Sequence, residues 1–140
     1  MNINPEVDFT NNSDLILRAE QAAVEKALEA IGIQAETNAK QNITEVGRVD
    51  TGRLRNSISH TADKDSAYIG TNVEYAAYNE FGTGIYAENG KGRQDGWKYH
   101  DDEGKWHFTR GMKPAHFLKR SVSEHINEYK EITEKILKNG

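Results

Sequence analysis

Residues 15–41 read LILRAEQAAVEKALEAIGIQAETNAKQ, and this stretch decides the fold class. Leu17, Val24, Leu28, Ile31 and Ala35 recur at spacings of 7, 4, 3 and 4, which puts them on one stripe of a helix. Ala19, Ala22, Ala23, Ala27 and Ala30 favour that helix and let a neighbour approach closely. Gly32 interrupts the run at a cost of about 1 kcal/mol relative to alanine and marks a candidate kink. The stripe is short for a coiled coil. Ser13 or Asp14 is placed to cap the helix, since either side chain can accept a bond from a free first-turn amide. Residues 1–12 read as a polar leader in which Ile3, Val7 and Phe9 are the only anchoring candidates.

A second stripe lies at the other end of the chain. Leu118, Val122, Ile126, Tyr129, Thr133 and Ile136 follow one another at 4, 4, 3, 4 and 3, predicting a helix from Pro114 to about Leu137. Shorter elements lie between the two. Asp50 or Thr51 can cap a brief helix with Leu54 and Ile58 facing inward. Residues 57–62 and 67–72 read as a hairpin around the turn 63–66. Residues 73–81 read as a short helix ended by Gly82. The expected fold is α+β: a small antiparallel sheet packed by a long N-terminal and a long C-terminal helix. Residues 84–111 form a long loop inserted into it.

The chain's 140 residues suit one domain spanning 1–140. With no cysteine, a disulfide framework, a thiolate zinc site and a cysteine nucleophile are excluded. No apolar run approaches the roughly 18 residues of a membrane span, and the first eight residues lack the basic start and greasy run of a signal peptide. A net charge of −4 argues against binding nucleic acid over a broad surface.

The inserted loop is the unusual part. Residues 91–113 carry six Lys/Arg against four Asp/Glu, so this segment is mildly basic within an acidic chain. Residues 97–100 and 105–108 flank Asp101-Asp102-Glu103-Gly104. A four-residue turn there puts Trp97, Tyr99, Trp106 and Phe108 on one face of a ribbon and Lys98, His100, Lys105 and His107 on the other. An aromatic face of this kind suits a docking arm and makes these four residues the candidate interface. Trp97 and Trp106 beside lysines could also stack on single-stranded nucleic acid, although a solvated loop is the commoner situation.

No catalytic constellation is evident. His100 and His107 near Asp101, Asp102 and Glu103 could hold a divalent ion, which would make the chain a metal-dependent hydrolase. Two histidines on a solvated face are the commoner outcome. No phosphate-cradling glycine motif and no nucleophile elbow occurs.

Three segments, residues 49–58 (VDTGRLRNSI), 73–83 (VEYAAYNEFGT) and 112–118 (MKPAHFL), carry a resemblance as a set. In this order they resemble the tail-completion or head–tail joining (neck) proteins of long, non-contractile-tailed phages and prophages. The resemblance implies a small α+β structural subunit that assembles into a ring, commonly sixfold, at the neck between capsid and tail. Implied partners are other copies of the chain, the head connector or stopper protein, and the tail tube or tail terminator protein. DNA would pass through without specific binding, and no membrane is involved. It implies no enzyme activity, cofactor or metal. The implied location is the virion neck, reached from the host cytoplasm during assembly, where the free protein can wait as a monomer. A tail terminator or connector-adaptor is the alternative within the same virion. The motif positions Asp50, Thr51, Gly52, Leu54, Tyr75, Ala76, Glu80, Phe81, Gly82, Thr83, Pro114, Phe117 and Leu118 are expected to determine the fold. Gly52 and Gly82 would allow turns, Leu54, Tyr75, Phe81 and Phe117 would be core, and Glu80 would cap or pair. No family role is carried onto residues 84–111.

Overall fold

A computed structural model describes residues 13–47, 51–101 and 103–139. The leader 1–12, Asp50 and Asp102 lie outside the described residues, as do the side chains of the cap candidates Ser13, Asp14 and Thr51. Helix α1 (Ser13–Val46) has 34 residues, about 51 Å of axis at 1.5 Å per residue. Its buried stripe is Val24, Ala27, Leu28, Ile31, Ala35, Ala39 and Ile43. The expected stripe thus continues two turns further than the periodicity indicated, while Leu17 is only half-buried.

No break occurs at Gly32, because its missing side chain serves a different purpose. A Cβ there would lie 2.8 Å from Cδ2 of His60. His60 sits on β1 (Ser59–Ala62) and lays its ring over the glycine. The imidazole is held from both sides, with Nε2 2.7 Å from Glu29 Oε1 and Nδ1 3.1 Å from Glu36 Oε1. The Glu29 bond first, and then the Glu36 bond, raise the His60 pKa above its ordinary 6.5, outweighing burial. Burial opposes ionisation of Glu36, yet bonds from His60 and Lys40 hold its pKa below the usual carboxylate value.

A raised folded-state pKa contributes stability in full below the unfolded value and loses it as pH climbs through the folded one. The unfolding free energy is therefore expected to decline as pH rises from the ordinary histidine value of 6.5 through the raised folded-state one. His60→Gln is expected to flatten that decline and to lose most stability at the acidic end. Urea unfolding across the range checks this, and an unchanged slope in the variant would assign the pH dependence to other groups.

Strand β1 pairs antiparallel with β2 (Ala67–Gly70), in the register His60↔Ile69 and Ala62↔Ala67. Asp63 closes the turn, its Oδ1 accepting the amides of Asp65 and Ser66 at 2.8 Å each. Both strands are shorter than the expected 57–62 and 67–72. Ser57 instead ends helix α2 (Thr51–Ser57), donating its hydroxyl to the Leu54 carbonyl at 2.6 Å. Helix α3 (Ala76–Phe81) follows, and a single 3-10 turn (Gly84–Tyr86) opens the insertion. The insertion contains a two-stranded ribbon, β3 (Trp97–His100) and β4 (Trp106–Thr109). The fold is thus α+β, with long terminal helical segments flanking two small antiparallel two-stranded sheets.

The last helix is not continuous. It divides into α4 (Phe117–Ser123) and α5 (Ile126–Asn139). At the break the His125 amide donates to the Val122 carbonyl rather than to that of Ser121, four residues back. The Ser121 carbonyl is taken up by the buried Tyr129 hydroxyl. Burial pushes the pKa of that hydroxyl up, which keeps it a neutral donor. Asn38 of α1 donates to the same Tyr129 oxygen at 3.0 Å, and Gln34 donates to Asn38 at 3.1 Å. A buried polar chain therefore ties α1 to both final helices. The break also turns the expected stripe: α4 buries Phe117 and Ser121, whereas Val122 and Ile126 are exposed.

Candidate interaction surfaces

The three motif segments, far apart in sequence, meet in one core. Leu54 and Ile58 pack with Ala39, Ile43, Ala76 and Phe117, with Tyr75, Ala115 and Leu118 at its edge. Full burial of Phe117 alone is worth about 2–3 kcal/mol. Arg53 stands over the Tyr75 ring at 5.5 Å, linking the first segment to the second. Two expectations need correction. Phe81 is not core, since it is 54% exposed at the end of α3. Gly52 makes no turn; it lies inside α2, and a Cβ there would meet open space.

Glu80 explains why the second and third segments belong together. It is buried, and its two oxygens accept the amides of Leu118 at 2.8 Å and Lys119 at 3.0 Å. These are first-turn amides of α4, whose own flanking residue, His116, is left-handed (φ 51°) and offers no side-chain cap. A carboxylate 38 residues upstream does the capping. The chain leading into α4 is fixed to the end of α3 by Ala115 N–H to the Asn79 carbonyl (2.7 Å) and His116 N–H to the Glu80 carbonyl (3.3 Å). His116 Nε2 completes the junction 2.8 Å from Glu88 Oε1.

The insertion is clamped at its base. Gly82 ends α3 with φ 81°, as expected of a helix stop. Thr83 N–H then donates to the Met112 carbonyl and Thr83 Oγ1 accepts the Met112 amide, both at 2.9 Å. Ile85 N–H donates to the Arg110 carbonyl at 3.0 Å. Between these bonds the backbone at Gly84 runs directly against that at Arg110–Gly111.

Above the clamp lies an open groove of about 730 Å³. Tyr78 and Phe81 of α3 and Trp97 of β3 give it an aromatic wall, and Lys91 and Arg93 stand at its rim. No sequence signal pointed to this groove, because its two sides come from an ordinary helix pattern and an irregular loop. A residue missing from the expected core, Phe81, is the signal in retrospect.

The ribbon's register departs from expectation by one residue. Observed partners are Trp97↔Thr109, Lys98↔Phe108, Tyr99↔His107 and His100↔Trp106. The connection spans five residues, closed by Asp101 N–H to the Lys105 carbonyl (2.9 Å) and Gly104 N–H to the Asp101 carbonyl (3.0 Å), with Gly104 left-handed at φ 80°. A one-residue slip sends every side chain of one strand to the other face. Trp97 and Tyr99 therefore share a face with His107, and Trp106 and Phe108 share the other with Lys98 and His100. The expected single aromatic face does not form. The same slip parts the proposed metal pair, His100 and His107. The His100 ring lies tilted against Trp106 with centroids 3.7 Å apart, and His107 Nε2 lies 2.7 Å from Asp101 Oδ2. Among the described residues, no group of three or more potential ligands that could hold a metal ion occurs.

A family model described as "Bacteriophage HK97-gp10, putative tail-component" matches residues 10–82. Searches of curated proteins and of solved structures give no match.

Proposed function

The chain belongs to the HK97-gp10-like family of phage tail-completion and neck proteins, and from that premise we propose that it works as a ring-forming structural subunit joining the head connector to the tail tube. The observation that carries the reading is the family match together with the way the motif segments are used. Leu54, Tyr75, Glu80 and Phe117 build and cap a core rather than assemble reactive groups around a cavity. The proposed mechanism is mechanical fit. A ring needs two different faces that match head to tail. The helical body offers an acidic one: outside residues 91–113 the chain carries 12 Lys/Arg and 18 Asp/Glu. Residues 91–113 offer a mildly basic one, six Lys/Arg against four Asp/Glu, studded with exposed aromatics that include Tyr99, Trp106 and Phe108. An acidic lumen would let DNA slide without adhering, since like charges repel.

Deleting the reading frame from the phage is expected to yield filled heads and separate tails in electron micrographs, with infectivity restored by supplying the protein in trans. Normal infectious particles without it would end the proposal. A tail terminator or connector-adaptor would instead be placed in a different layer of the virion, which labelling of purified particles distinguishes.

A further inference from the structure

We infer that the groove between α3 and the insertion receives residues 3–9 of a second copy of this chain. The inference rests on the self-assembling reading above. Its starting point is an anomaly. Tyr78 and Phe81 lie one helical turn apart, 60% and 54% exposed, while Ala76 and Glu80 of the same short helix are buried. With the half-buried Trp97 they line the groove. The rim carries Lys91 and Arg93; Arg93 Nε already donates to Asp95 Oδ1 at 2.8 Å, which leaves its terminal N–H groups, and no carboxylate is among the described residues that line the groove. An occupant should therefore be narrow, apolar along one edge and acidic along the other.

Residues 3–9 read Ile3-Asn4-Pro5-Glu6-Val7-Asp8-Phe9. In an extended backbone, alternate residues face opposite sides. Ile3, Pro5, Val7 and Phe9 then share one edge, and Asn4, Glu6 and Asp8 the other. Proline fixes its own φ and biases the residue before it toward extended conformations, which lowers the entropy lost on docking. The apolar edge matches Tyr78, Phe81 and Trp97, and the acidic edge matches Lys91 and the terminal N–H groups of Arg93 that the Asp95 pair leaves over.

Reach decides which copy supplies the segment. Ala76 of α3 shares one core cluster with Ala39 and Ile43 of α1. The 26 residues from Ala39 back to Ser13 cover about 39 Å of helix axis. Between Phe9 and Ser13 the chain can extend by only about 14 Å. The groove of the same molecule is thus out of range, whereas a head-to-tail neighbour can present its groove beside Ser13.

The test titrates a synthetic peptide of residues 1–12 into the full chain carrying Trp106→Phe, so that Trp97 is the only tryptophan reporting. Saturable change in its emission is expected, or a fall in particle mass where copies already associate and the peptide displaces them. Phe81→Ala, and separately Lys91→Glu with Arg93→Glu, should weaken binding by at least about tenfold while melting with wild-type cooperativity, since these side chains are exposed. A peptide carrying Glu6→Lys and Asp8→Lys should fail on the wild-type groove and regain affinity for the charge-reversed one. No saturable response, or equal binding of a scrambled peptide, overturns the inference. If rings form but ignore the peptide, the groove assignment alone fails. If the chain never self-associates, even with neck proteins present, the ring reading fails too.

Discussion

Replacing Glu80 with alanine is expected to destabilise the protein by about 2–4 kcal/mol, among the largest effects any single side chain here should show. Two amides, Leu118 and Lys119, lose their acceptor at once. Each donor left unsatisfied in a part-buried setting costs about 1–3 kcal/mol, and the loss overlaps with the usual 0.5–2 kcal/mol for removing a helix cap, so the terms do not simply add. The neighbouring left-handed His116 makes the loss worse, because no local side chain can take over. Glu80→Gln keeps the shape and one good acceptor but turns an NH₂ toward the second amide, so about half the penalty should remain. Glu88→Gln, at an exposed carboxylate that bonds only His116 among the ion pairs described, should cost under about 1 kcal/mol. Guanidinium unfolding of the three variants orders them. An alanine variant within about 0.5 kcal/mol of wild type would mean that α4 is capped by water and that the buried carboxylate is incidental.

This contact also marks the boundary of what the sequence made legible. Period and turn chemistry are local, and elements that depend on them were readable. The α1 stripe, the Asp63 turn, the helix stop at Gly82 and the inward pair Leu54 and Ile58 all follow from spacings within a few residues. The features that escaped are settled by partners distant in sequence. Gly32 reads as a kink until His60, 28 positions on, is seen to occupy the space above it. The last helix reads as continuous because its period does not falter; it breaks because Tyr129 satisfies the Ser121 carbonyl that the break exposes. Phe81 reads as core from its motif position, yet the helix is short and only its Ala76–Glu80 side meets α4 and the core. The ribbon register is the exception, since its signal was local: Gly104 at the end of Asp-Asp-Glu-Gly favours a five-residue connection with a left-handed glycine over a four-residue turn. The candidate interface residues were found by composition, but their division between two faces needed that register.

Gly84→Ala should be more costly still, and comparison with Gly90→Ala isolates the reason. Both glycines are left-handed, at φ 61° and 70°, so alanine carries a similar backbone strain of about 1 kcal/mol at either site. They differ in space. A Cβ at Gly90 meets nothing within 4 Å, whereas one at Gly84 overlaps the Arg110 carbonyl, which is backbone and cannot rotate aside. That carbonyl is already committed to the Ile85 amide, and Thr83 and Met112 are bonded to each other on the adjoining side. The clash can be relieved only by parting the two strands of the clamp, with loss of about three hydrogen bonds at 0.5–1.5 kcal/mol each. Gly84→Ala is therefore expected to cost about 3–5 kcal/mol against about 1 for Gly90→Ala, and to make residues 85–110 far more susceptible to limited proteolysis. The groove should suffer with it, since Trp97 is positioned through the same base. Equal penalties at the two sites would show that the insertion swings free of α3 in solution, and the groove would then exist only when a partner holds it closed.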